Sequence, residues 1–340
     1  PGVMTTGAAQ TLLRSYGLAP GKEVLISGNG PLNLQMAAEL SKHGAKVVAL
    51  IESARIFSLR SLALTPLLGL LSPSLALKGL GYFLAIKRAK VPYLSAAAVS
   101  AFEGSEQVES ATISQFLGLN RKSAPSDLWK KIDQLHVDAV AMGFGFISSN
   151  ELARNLRCEH RLDPQTLGLK TVTSLAGKTT KDHIWVIGDS ASINGAQVAK
   201  YRGRLLAQSL ARVLHGKRRY LATLLSRVLL YRHLLFQKVL WQIYRSPRIF
   251  DQFVTAETVI CRCLSITRAT LEADLRDEMN SACALKRVSR VGMGKCQGRY
   301  CSPFAQNLIA NLTGSEIDPL SGFAPQVPVK PTSISTIAYS

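Results

Sequence analysis

Residues 23–52 read EVLISGNGPLNLQMAAELSKHGAKVVALIE. An apolar run leads into Gly28-Asn29-Gly30, a helical pattern follows, and a second apolar run ends at Glu52, which together predict a βαβ unit. A tight glycine turn that opens a helix allows backbone N–H groups to approach a pyrophosphate. A carboxylate at the end of the next strand is positioned to accept a hydrogen bond from a ribose hydroxyl. We therefore predict that Gly28, Gly30 and Glu52 bind a nucleotide.

This glycine motif is incomplete, because Asn33 stands where a dinucleotide fingerprint has its third glycine. We expect the larger side chain to loosen the close packing of helix on strand. The ligand that the motif favours is NAD(P) or another adenine nucleotide. The alternative is a domain that has kept the Rossmann shape and binds no nucleotide.

The segments that follow this unit extend the pattern. Residues 56–90 are Leu-rich and helical in periodicity, and residues 91–119 alternate in short strand-like pieces. Residues 137–142 and 183–187 are predicted to be buried parallel strands, each leading into a turn that contains glycine. The sequence therefore predicts an α/β fold.

A second glycine turn follows the predicted strand at 183–187. Gly188 and Asp189 end this strand, and Asn194-Gly195 opens a segment that we expect to be helical as far as residue 214. Asp189 can contact a ligand at this turn, or it can serve only as a helix N-cap. The residues alone leave both interpretations open.

The chain carries 41 Lys and Arg against 22 Asp and Glu, a formal charge of +19. Residues 200–250 contain twelve of these bases and no acid. This pattern favours docking to a partner protein or peripheral contact with an anionic membrane, while a solvated helical face is the alternative. We expect no nucleic-acid partner, because no recognition motif accompanies the charge. The most apolar stretch, 61–84, is broken by Pro66, Pro73 and Lys78 and makes a poor membrane-spanning helix.

Four of the six cysteines form two clusters late in the chain, Cys261 with Cys263 and Cys296 with Cys301. Four thiolates are the ligand set of a [2Fe–2S] or [4Fe–4S] cluster, and nearby glycines allow backbone N–H groups to reach the sulfurs. A structural zinc ion also takes four cysteines, although Cys-x-Cys is a tight spacing for it. Two disulfides are the remaining alternative. Cysteines used in this way indicate a reducing cytoplasm.

The second cysteine cluster lies in the run GMGKCQGRYC at 292–301, which Pro303 follows closely. Together with the preceding Cys-x-Cys, this run resembles the bacterioferritin-associated-ferredoxin-like [2Fe–2S] module of a known family. That family comprises the pyridine-nucleotide-disulfide-oxidoreductase-like subunits of heteromeric amine and opine oxidases. The likeness covers nearly the whole chain and includes residues 1–10, 28–32, 142–146, 187–189 and 323–331.

The resemblance implies an α/β flavoprotein with two Rossmann-like dinucleotide-binding domains, followed by a small helical iron–sulfur domain. In such proteins the glycine fingerprint of the FAD-binding domain lies upstream of the inserted nucleotide-binding domain, so we expect the N-terminal part to be missing here. The expected bounds are 1–22 and 110–250 for the FAD-binding domain with a basic helical extension, 23–109 for the inserted domain, 251–312 for the [2Fe–2S] domain and 313–340 for an extended tail.

The resemblance also implies where the cofactors bind. FAD is expected to contact the second turn through Gly188, Asp189 and Gly195, with the Asp189 carboxylate on the ribitol and the helix N-terminus facing the pyrophosphate. A [2Fe–2S] cluster is expected on the four clustered cysteines. No residue is assigned a catalytic role.

The implied function is that of an FAD- and iron–sulfur-dependent oxidoreductase subunit that relays electrons. A separate flavoprotein subunit would oxidise a CH–NH or CH–NH2 group of an amino acid, an opine or another amine. The complex is expected in the cytoplasm, with peripheral contact at the inner face of the membrane. Two alternatives remain: a stand-alone NAD(P)H-dependent flavin or ferredoxin-type reductase, and a zinc-stabilised interaction module.

Overall fold

The structure is a computed structural model that describes residues 1–118, 128–163, 168–216, 220–246, 252–275, 281–329 and 332–338. The chain divides into two units. The first comprises Pro1–Gly145 and Arg232–Phe253, and the second comprises Phe146–Tyr231 and Val254–Ser340. Each unit has a hydrophobic core of its own.

A five-stranded parallel sheet forms the centre of the first unit. Its strands are β1 Val3–Thr5, β2 Glu23–Gly28, β3 Lys46–Glu52, β4 Tyr93–Ser95 and β8 Ala139–Gly143. Their order in the sheet is β1-β8-β2-β3-β4, and every neighbouring pair is parallel. Val24, Leu25 and Ile26 of β2 are fully buried. Such a continuous apolar run is typical of a parallel strand that is covered on both faces.

Three helices cover one face of this sheet. They are α1 Thr6–Tyr16, α2 Pro31–Lys42 and α4 Pro73–Arg88. Their apolar sides share one core with Val24 and Ile26, to which Leu13, Leu40 and Ile86 contribute. The predicted βαβ unit is therefore present as β2, α2 and β3.

A three-stranded antiparallel sheet packs on the opposite face. Its strands are β5 Ala97–Glu103, β6 Ser110–Phe116 and β7 Trp129–His136. Ala111 and Ile113 of β6 are fully buried and share a core with Leu25 and Ile51 of the parallel sheet. The alternation of Val24, Leu25 and Ile26 between the two cores follows from the two-residue period of a strand.

After this antiparallel excursion the chain returns to the parallel sheet as β8. Val140 pairs with Val3 on one side, and Ala139 pairs with Val24 on the other. Residues 139–143 and 3–5, which the sequence assigned to the FAD-binding domain, therefore share one sheet with the predicted inserted domain. The domain bounds stay a prediction, and the bound at 250/251 lies outside the described residues.

The first unit is completed by a helix pair. Helix α3 Leu59–Leu71 packs against the last residues of α7 Tyr220–Ile243. Their shared cluster includes the buried side chains of Val239 and Ile243. Helices α3 and α4 confirm that residues 56–90 are helical, and Pro73 is the first residue of α4, where its missing N–H costs no hydrogen bond.

The second unit is assembled from short elements and one long helix. It contains α5 Glu151–Asn155, the antiparallel pair β9 His160–Leu162 and β10 Leu169–Thr171, α6 Gly195–His215, the antiparallel pair β11 Val259–Cys261 and β12 Ile266–Thr267, α8 Arg268–Asp274, α9 Ala282–Ser289, α10 Ser302–Thr313 and α11 Ile334–Ala338. Helix α6 confirms the helix predicted from Gly195. Helices α8, α9 and α10 surround the cysteine clusters.

The strand predicted at 183–187 is wrong. Within the described residues, Trp185 forms a single antiparallel bridge with Lys178, and residues 184–187 are only partly buried. A buried parallel strand requires hydrogen-bonded neighbours along its length, because its own apolar side chains do not satisfy its backbone. The following residues, Gly188–Ser190, form a 3-10 turn.

The C-terminal segment departs from the extended tail that the prolines predicted. Phe323 is only 4% exposed and belongs to the core of the second unit. The chain then forms α11 near its end. Among the helices in the described ranges, none combines the length and the apolarity that crossing a lipid bilayer requires.

Candidate functional site

The first glycine turn joins β2 to α2. Gly28 has φ +153°, and a Cβ placed on it would lie 1.9 Å from the carbonyl oxygen of Gly143. Glycine at this position therefore allows β8 to run close beside the turn. Gly30, with φ +115°, is the N-cap of α2 and has no side chain to cap it.

Asn33 does not loosen the turn, contrary to the expectation from the sequence. Its side chain is 1% exposed, accepts a hydrogen bond from Thr6 Oγ1 at 2.9 Å and donates one to the carbonyl of Gly143 at 2.7 Å. A Cβ on Gly143 would lie 2.4 Å from Asn33 Oδ1. In a complete fingerprint the third glycine allows the helix to pack closely on the strand. Here Gly143 on the neighbouring strand β8 leaves the room that the Asn33 side chain needs.

Glu52 lies at the end of β3 and is 1% exposed. Its Oε2 accepts from the N–H of Gly30 at 3.0 Å, and its Oε1 accepts from the N–H of Ala54 at 2.9 Å. Burial raises the pKa of Glu52 to about 8, although the backbone N–H donors oppose this change. The carboxyl group therefore fastens the glycine turn to β3, and its contact with a ribose hydroxyl stays a prediction.

Residues at the end of α7 lie over this turn. Two carbon atoms of the Trp241 indole are 3.5 and 3.7 Å from the Cβ position of Gly30. Asn29 Nδ2 donates to Ser246 Oγ at 3.1 Å. Burial raises the pKa of Tyr244, whose hydroxyl is hydrogen-bonded to that of Tyr93.

The second glycine turn precedes α6. Gly188 and Gly195 have φ +67° and +79°, and Asn194, the N-cap of α6, makes no capping hydrogen bond with its side chain. The N-cap of α6 is Asn194, so Asp189, whose side chain is exposed, is not the N-cap of this helix. The turn thus presents two flexible glycines, a free carboxylate and an uncapped helix N-terminus. These are the groups that a dinucleotide contacts.

Arg202 is a member of this site that the sequence analysis missed. It lines a shallow surface concavity together with Gly188, Ser192, Asn194 and Gly195. Its Nε is buried and has no hydrogen-bond partner among the described residues, and burial lowers its pKa. The available signal was its spacing of seven residues from Gly195, which places both on one face of the helix. A half-buried guanidinium with an unpaired Nε in the same concavity as a helix N-terminus is suited to an anion.

The pair β9 and β10 holds the second turn from behind. The Thr171 N–H donates to the carbonyl of Ala191 at 3.0 Å, and Thr171 Oγ1 donates to that of Ser190 at the same distance. His160 Nε2 lies 3.1 Å from Thr171 Oγ1, and burial lowers the pKa of His160. The turn is therefore fixed to a small sheet by these hydrogen bonds.

The four clustered cysteines come together in the second unit. Cys261 ends β11, Cys301 is the N-cap of α10, and both are 2% exposed. The thiols of Cys261 and Cys301 are hydrogen-bonded, as are those of Cys263 and Cys296. The structure thus arranges the four thiols as two contacting pairs, and all four cysteines are free.

The two later cysteines have opposite electrostatic environments. Burial, with contributions from Cys261 and Cys296, raises the pKa of Cys301 to about 12. Burial also acts on Cys296, but the N–H groups of Tyr300, Gly298 and Arg299 and the Cys263 thiol outweigh it and lower the Cys296 pKa. Backbone donors aimed at a sulfur are the contacts that stabilise a thiolate.

Glycines shape the loop around these thiols. A Cβ on Gly294 would lie 2.3 Å from the Cβ of Cys263, so the two cysteine segments could not approach with a larger residue. Cβ atoms on Gly292 and Gly298 would lie 2.3 and 2.5 Å from the ring of Phe323. The aromatic ring thus packs on both glycines, a role for Phe323 that the sequence did not indicate.

A complete metal-binding geometry is not formed. In the part of the chain that the structure describes, no group of three or more His, Cys, Asp or Glu side chains is arranged to hold a metal ion. The paired thiols provide a donor set of the right chemistry, four sulfurs with backbone N–H groups directed at one of them. The metal ligands therefore stay a prediction.

The sequence is similar to those of subunits of two bacterial enzymes. An opine oxidase subunit of Agrobacterium tumefaciens (strain Ach5) is 30% identical over 345 residues, an alignment that covers 100% of this chain and 65% of that protein. Hydrogen cyanide synthase subunit HcnB of Pseudomonas aeruginosa is 27% identical over 348 residues, which cover 98% of this chain and 70% of HcnB. No protein-family model matches the chain. The chain thus spans about two thirds of the length of these homologues.

The fold is similar to that of L-proline dehydrogenase from P. horikoshii. The TM-score is 0.60 at 17% sequence identity, with 98% of this chain and 54% of that chain covered. A parallel sheet covered by helices is a Rossmann-like architecture, which confirms the predicted α/β fold class.

Proposed function

We propose that this chain is the FAD- and iron–sulfur-dependent subunit of a hetero-oligomeric oxidoreductase that oxidises an amino acid, an opine or a related amine at a CH–NH or CH–NH2 group. The observation that carries the proposal is homology over the full length of the chain to the opine oxidase subunit and to HcnB. Both homologues are named as subunits, which supports a separate amine-oxidising flavoprotein as partner.

FAD is assigned to the second glycine turn. The residues there fit a dinucleotide: Gly188 and Gly195 allow close approach, Asp189 offers a free carboxylate and the N-terminus of α6 is uncapped. Arg202 supplies a half-buried cation whose Nε has no partner among the described residues. The concavity is too shallow to enclose a ligand, whereas an ordinary ligand pocket has roughly 300–1,000 Å³, so this turn would hold only part of the cofactor. Bound FAD would supply two-electron transfer.

The [2Fe–2S] cluster is assigned to Cys261, Cys263, Cys296 and Cys301. The two contacting thiol pairs match in number the two pairs of thiolates that a two-iron cluster needs. Gly294 allows the two cysteine segments to approach. Such a cluster would pass electrons singly, which makes the chain an electron relay rather than the site of amine oxidation.

Partner docking is assigned to the basic helices. In the second unit, exposed Leu221, Leu224 and Leu225 lie on α7 with exposed Arg227. An apolar face with cations suits either a protein partner with an acidic rim or an anionic membrane. We place the complex in the cytoplasm, with peripheral contact at the inner face of the membrane as the second use of this surface.

The partner proposal is tested by purifying the tagged chain from its native host and assaying amine-dependent dye reduction. We expect a second flavoprotein subunit in stoichiometric amount, and a complex that reduces the dye with an amino acid or opine as electron donor. A chain that purifies alone and reduces the dye with NADH would contradict the proposal.

A further inference from the structure

The carboxyl edge of β2 and β3 is where a dinucleotide lies in a Rossmann fold. In this chain that edge is covered from within the same unit. The covering residues are the last turn of α7 and the residues after it, 239–246, which we name the α7 cover. Val239, Ile243 and Tyr244 of the cover are buried together with Ala54, which follows β3.

Trp241 occupies the place that the second glycine of the fingerprint keeps open. Gly30 lacks a side chain so that a pyrophosphate can approach its backbone. The Trp241 indole stands 3.5 and 3.7 Å from the Cβ position of Gly30, which is ordinary van der Waals contact. The indole therefore borders the space through which a pyrophosphate would approach Gly30.

The hydrogen-bond donors of the turn are also engaged. The N–H of Asn29 donates to the carbonyl of Gly143 at 2.8 Å, that of Gly30 donates to Glu52 at 3.0 Å, and that of Asn33 donates to the carbonyl of Gly30 at 3.2 Å. Pro31 has no N–H. A phosphate at this turn would find few backbone donors to bind.

The ribose side is closed in the same way. Both carboxylate oxygens of Glu52 accept from backbone N–H groups, and the side chain is sealed from solvent. The hydroxyls of Tyr93 and Tyr244 are hydrogen-bonded to each other nearby. Asn29 Oδ1 and Ser53 Oγ are buried with no partner among the described residues. The edge thus keeps polar groups of a nucleotide site while its entrance is filled.

We propose that the α7 cover is an internal occupant of the nucleotide cradle formed by Gly28–Asn33 and Glu52, so that the chain binds neither NAD(P)H nor another adenine nucleotide there. The role predicted for Gly28, Gly30 and Glu52 is then structural. A chain that does not bind NAD(P)H in this cradle would not act as a stand-alone NAD(P)H-dependent reductase. On the proposed function, electrons reach the chain from its partner subunit.

The test is equilibrium binding of ADP and NADH to the full chain and to two variants on the same helix, with FAD in excess so that the second glycine turn is not available to either nucleotide. Trp241→Ala removes the indole from Gly30, and Gln242→Ala, whose side chain instead pairs with exposed Arg60, is the matched control. For wild type and Gln242→Ala we expect no saturable binding below about 1 mM. For Trp241→Ala we expect binding at least about tenfold tighter, a difference of about 1.4 kcal/mol.

Two results would overturn the inference. One is saturable binding of either nucleotide to wild type well below about 1 mM, because an occupied cradle has no such affinity. The other is a folded Trp241→Ala variant that binds no better than wild type, because Trp241 would then not be the obstacle. If Trp241→Ala does not fold, the wild-type measurement decides alone. Neither measurement involves the partner or the cysteines. Failure of the inference about the cradle is therefore distinguishable from failure of the proposed function.

Discussion

Glu52 shows how a residue chosen for ligand chemistry can serve the fold instead. Its position after β3 suggested a ribose contact, yet its carboxyl group joins the N–H groups of Gly30 and Ala54 in a sealed environment. No sequence pattern distinguishes these uses, because burial of the acid arises in the assembled fold, where Tyr244, which is far along the chain, lies near Glu52. Asn33 gives the same lesson, since its hydrogen bonds to Thr6 and Gly143 compensate for the missing glycine.

The pKa of Glu52 makes the stability of the protein depend on pH. Burial raises the pKa from its ordinary value of 4.5 to about 8. The folded state then binds the proton of Glu52 more tightly than the unfolded state does. The contribution of Glu52 to the free energy of unfolding is therefore largest below pH 4.5, and it is lost as the pH rises through 8. We expect a loss of about 4 kcal/mol between pH 5 and 9, measured by urea unfolding.

Glu52→Gln is the control for this pH dependence. The amide does not titrate, so the difference in stability between the two pH values should shrink by most of that amount even if the variant is less stable throughout. Equal pH slopes in the wild type and the variant would assign the effect to other groups.

Arg202 is the residue whose replacement should test the FAD assignment. Its buried Nε has no partner among the described residues, so an anion bound at the second turn would gain a charge-assisted hydrogen bond. We expect Arg202→Met to weaken FAD binding about tenfold, which corresponds to about 1.4 kcal/mol. The measurement is the flavin fluorescence released on dilution of the purified protein.

Arg204→Met is the matched control on the same helix. Arg204 is exposed and stacks over the ring of Tyr201, so its loss should leave FAD affinity within about twofold of wild type. Equal weakening by both variants would indicate a general loss of positive charge and would contradict a specific site at Gly188 and Gly195.

Among the elements, the ones that the sequence predicted well are those with strong local patterns. The βαβ unit has a continuous apolar strand, a glycine turn and an amphipathic helix, and α6 begins at the expected Gly195. The strand expected at 183–187 failed because its apolar run carries no information about neighbouring strands. The burial of Phe323 in the core could not be predicted from the sequence, because this single aromatic residue stands among prolines and forms no apolar pattern with its neighbours.

Phe323 packs against the loop at 292–301 that contains Cys296 and Cys301, here called the cysteine loop, and we expect it to hold this loop in place. Its ring packs on Gly292 and Gly298, its carbonyl accepts from Arg154 Nη2 at 2.8 Å, and its N–H donates to Ser302 Oγ. Phe323→Ala should destabilise the second unit by about 3 kcal/mol, because the ring leaves a cavity that backbone alone cannot fill. Thermal unfolding followed by circular dichroism measures the loss.

Leu320→Ala is the control for this contact. Leu320 lies three residues earlier in the same segment and is 86% exposed, so its truncation should change the unfolding free energy by less than about 0.5 kcal/mol. If Phe323→Ala were as stable as Leu320→Ala, the C-terminal segment would not support the cysteine loop.

At the scale of the whole molecule, the chain combines a closed Rossmann unit with a second unit that contains both proposed redox sites. The first unit retains the architecture of nucleotide binding, and the α7 cover lies over its carboxyl edge. The second unit contains the FAD turn and all four clustered cysteines. This division suits a protein that receives and passes on electrons, with a net charge of +19 available for docking an acidic partner.

The proposed electron relay depends most on the cysteine clusters, so the decisive measurement is iron, acid-labile sulfide and zinc analysis with the visible spectrum of the anaerobically purified protein. We predict about two iron and two sulfide per chain, with visible absorption that bleaches on reduction. Cys263→Ser should lose the iron, while Cys283→Ser, which alters a cysteine outside the clusters, should retain it. Colourless protein with about one zinc per chain would contradict the account.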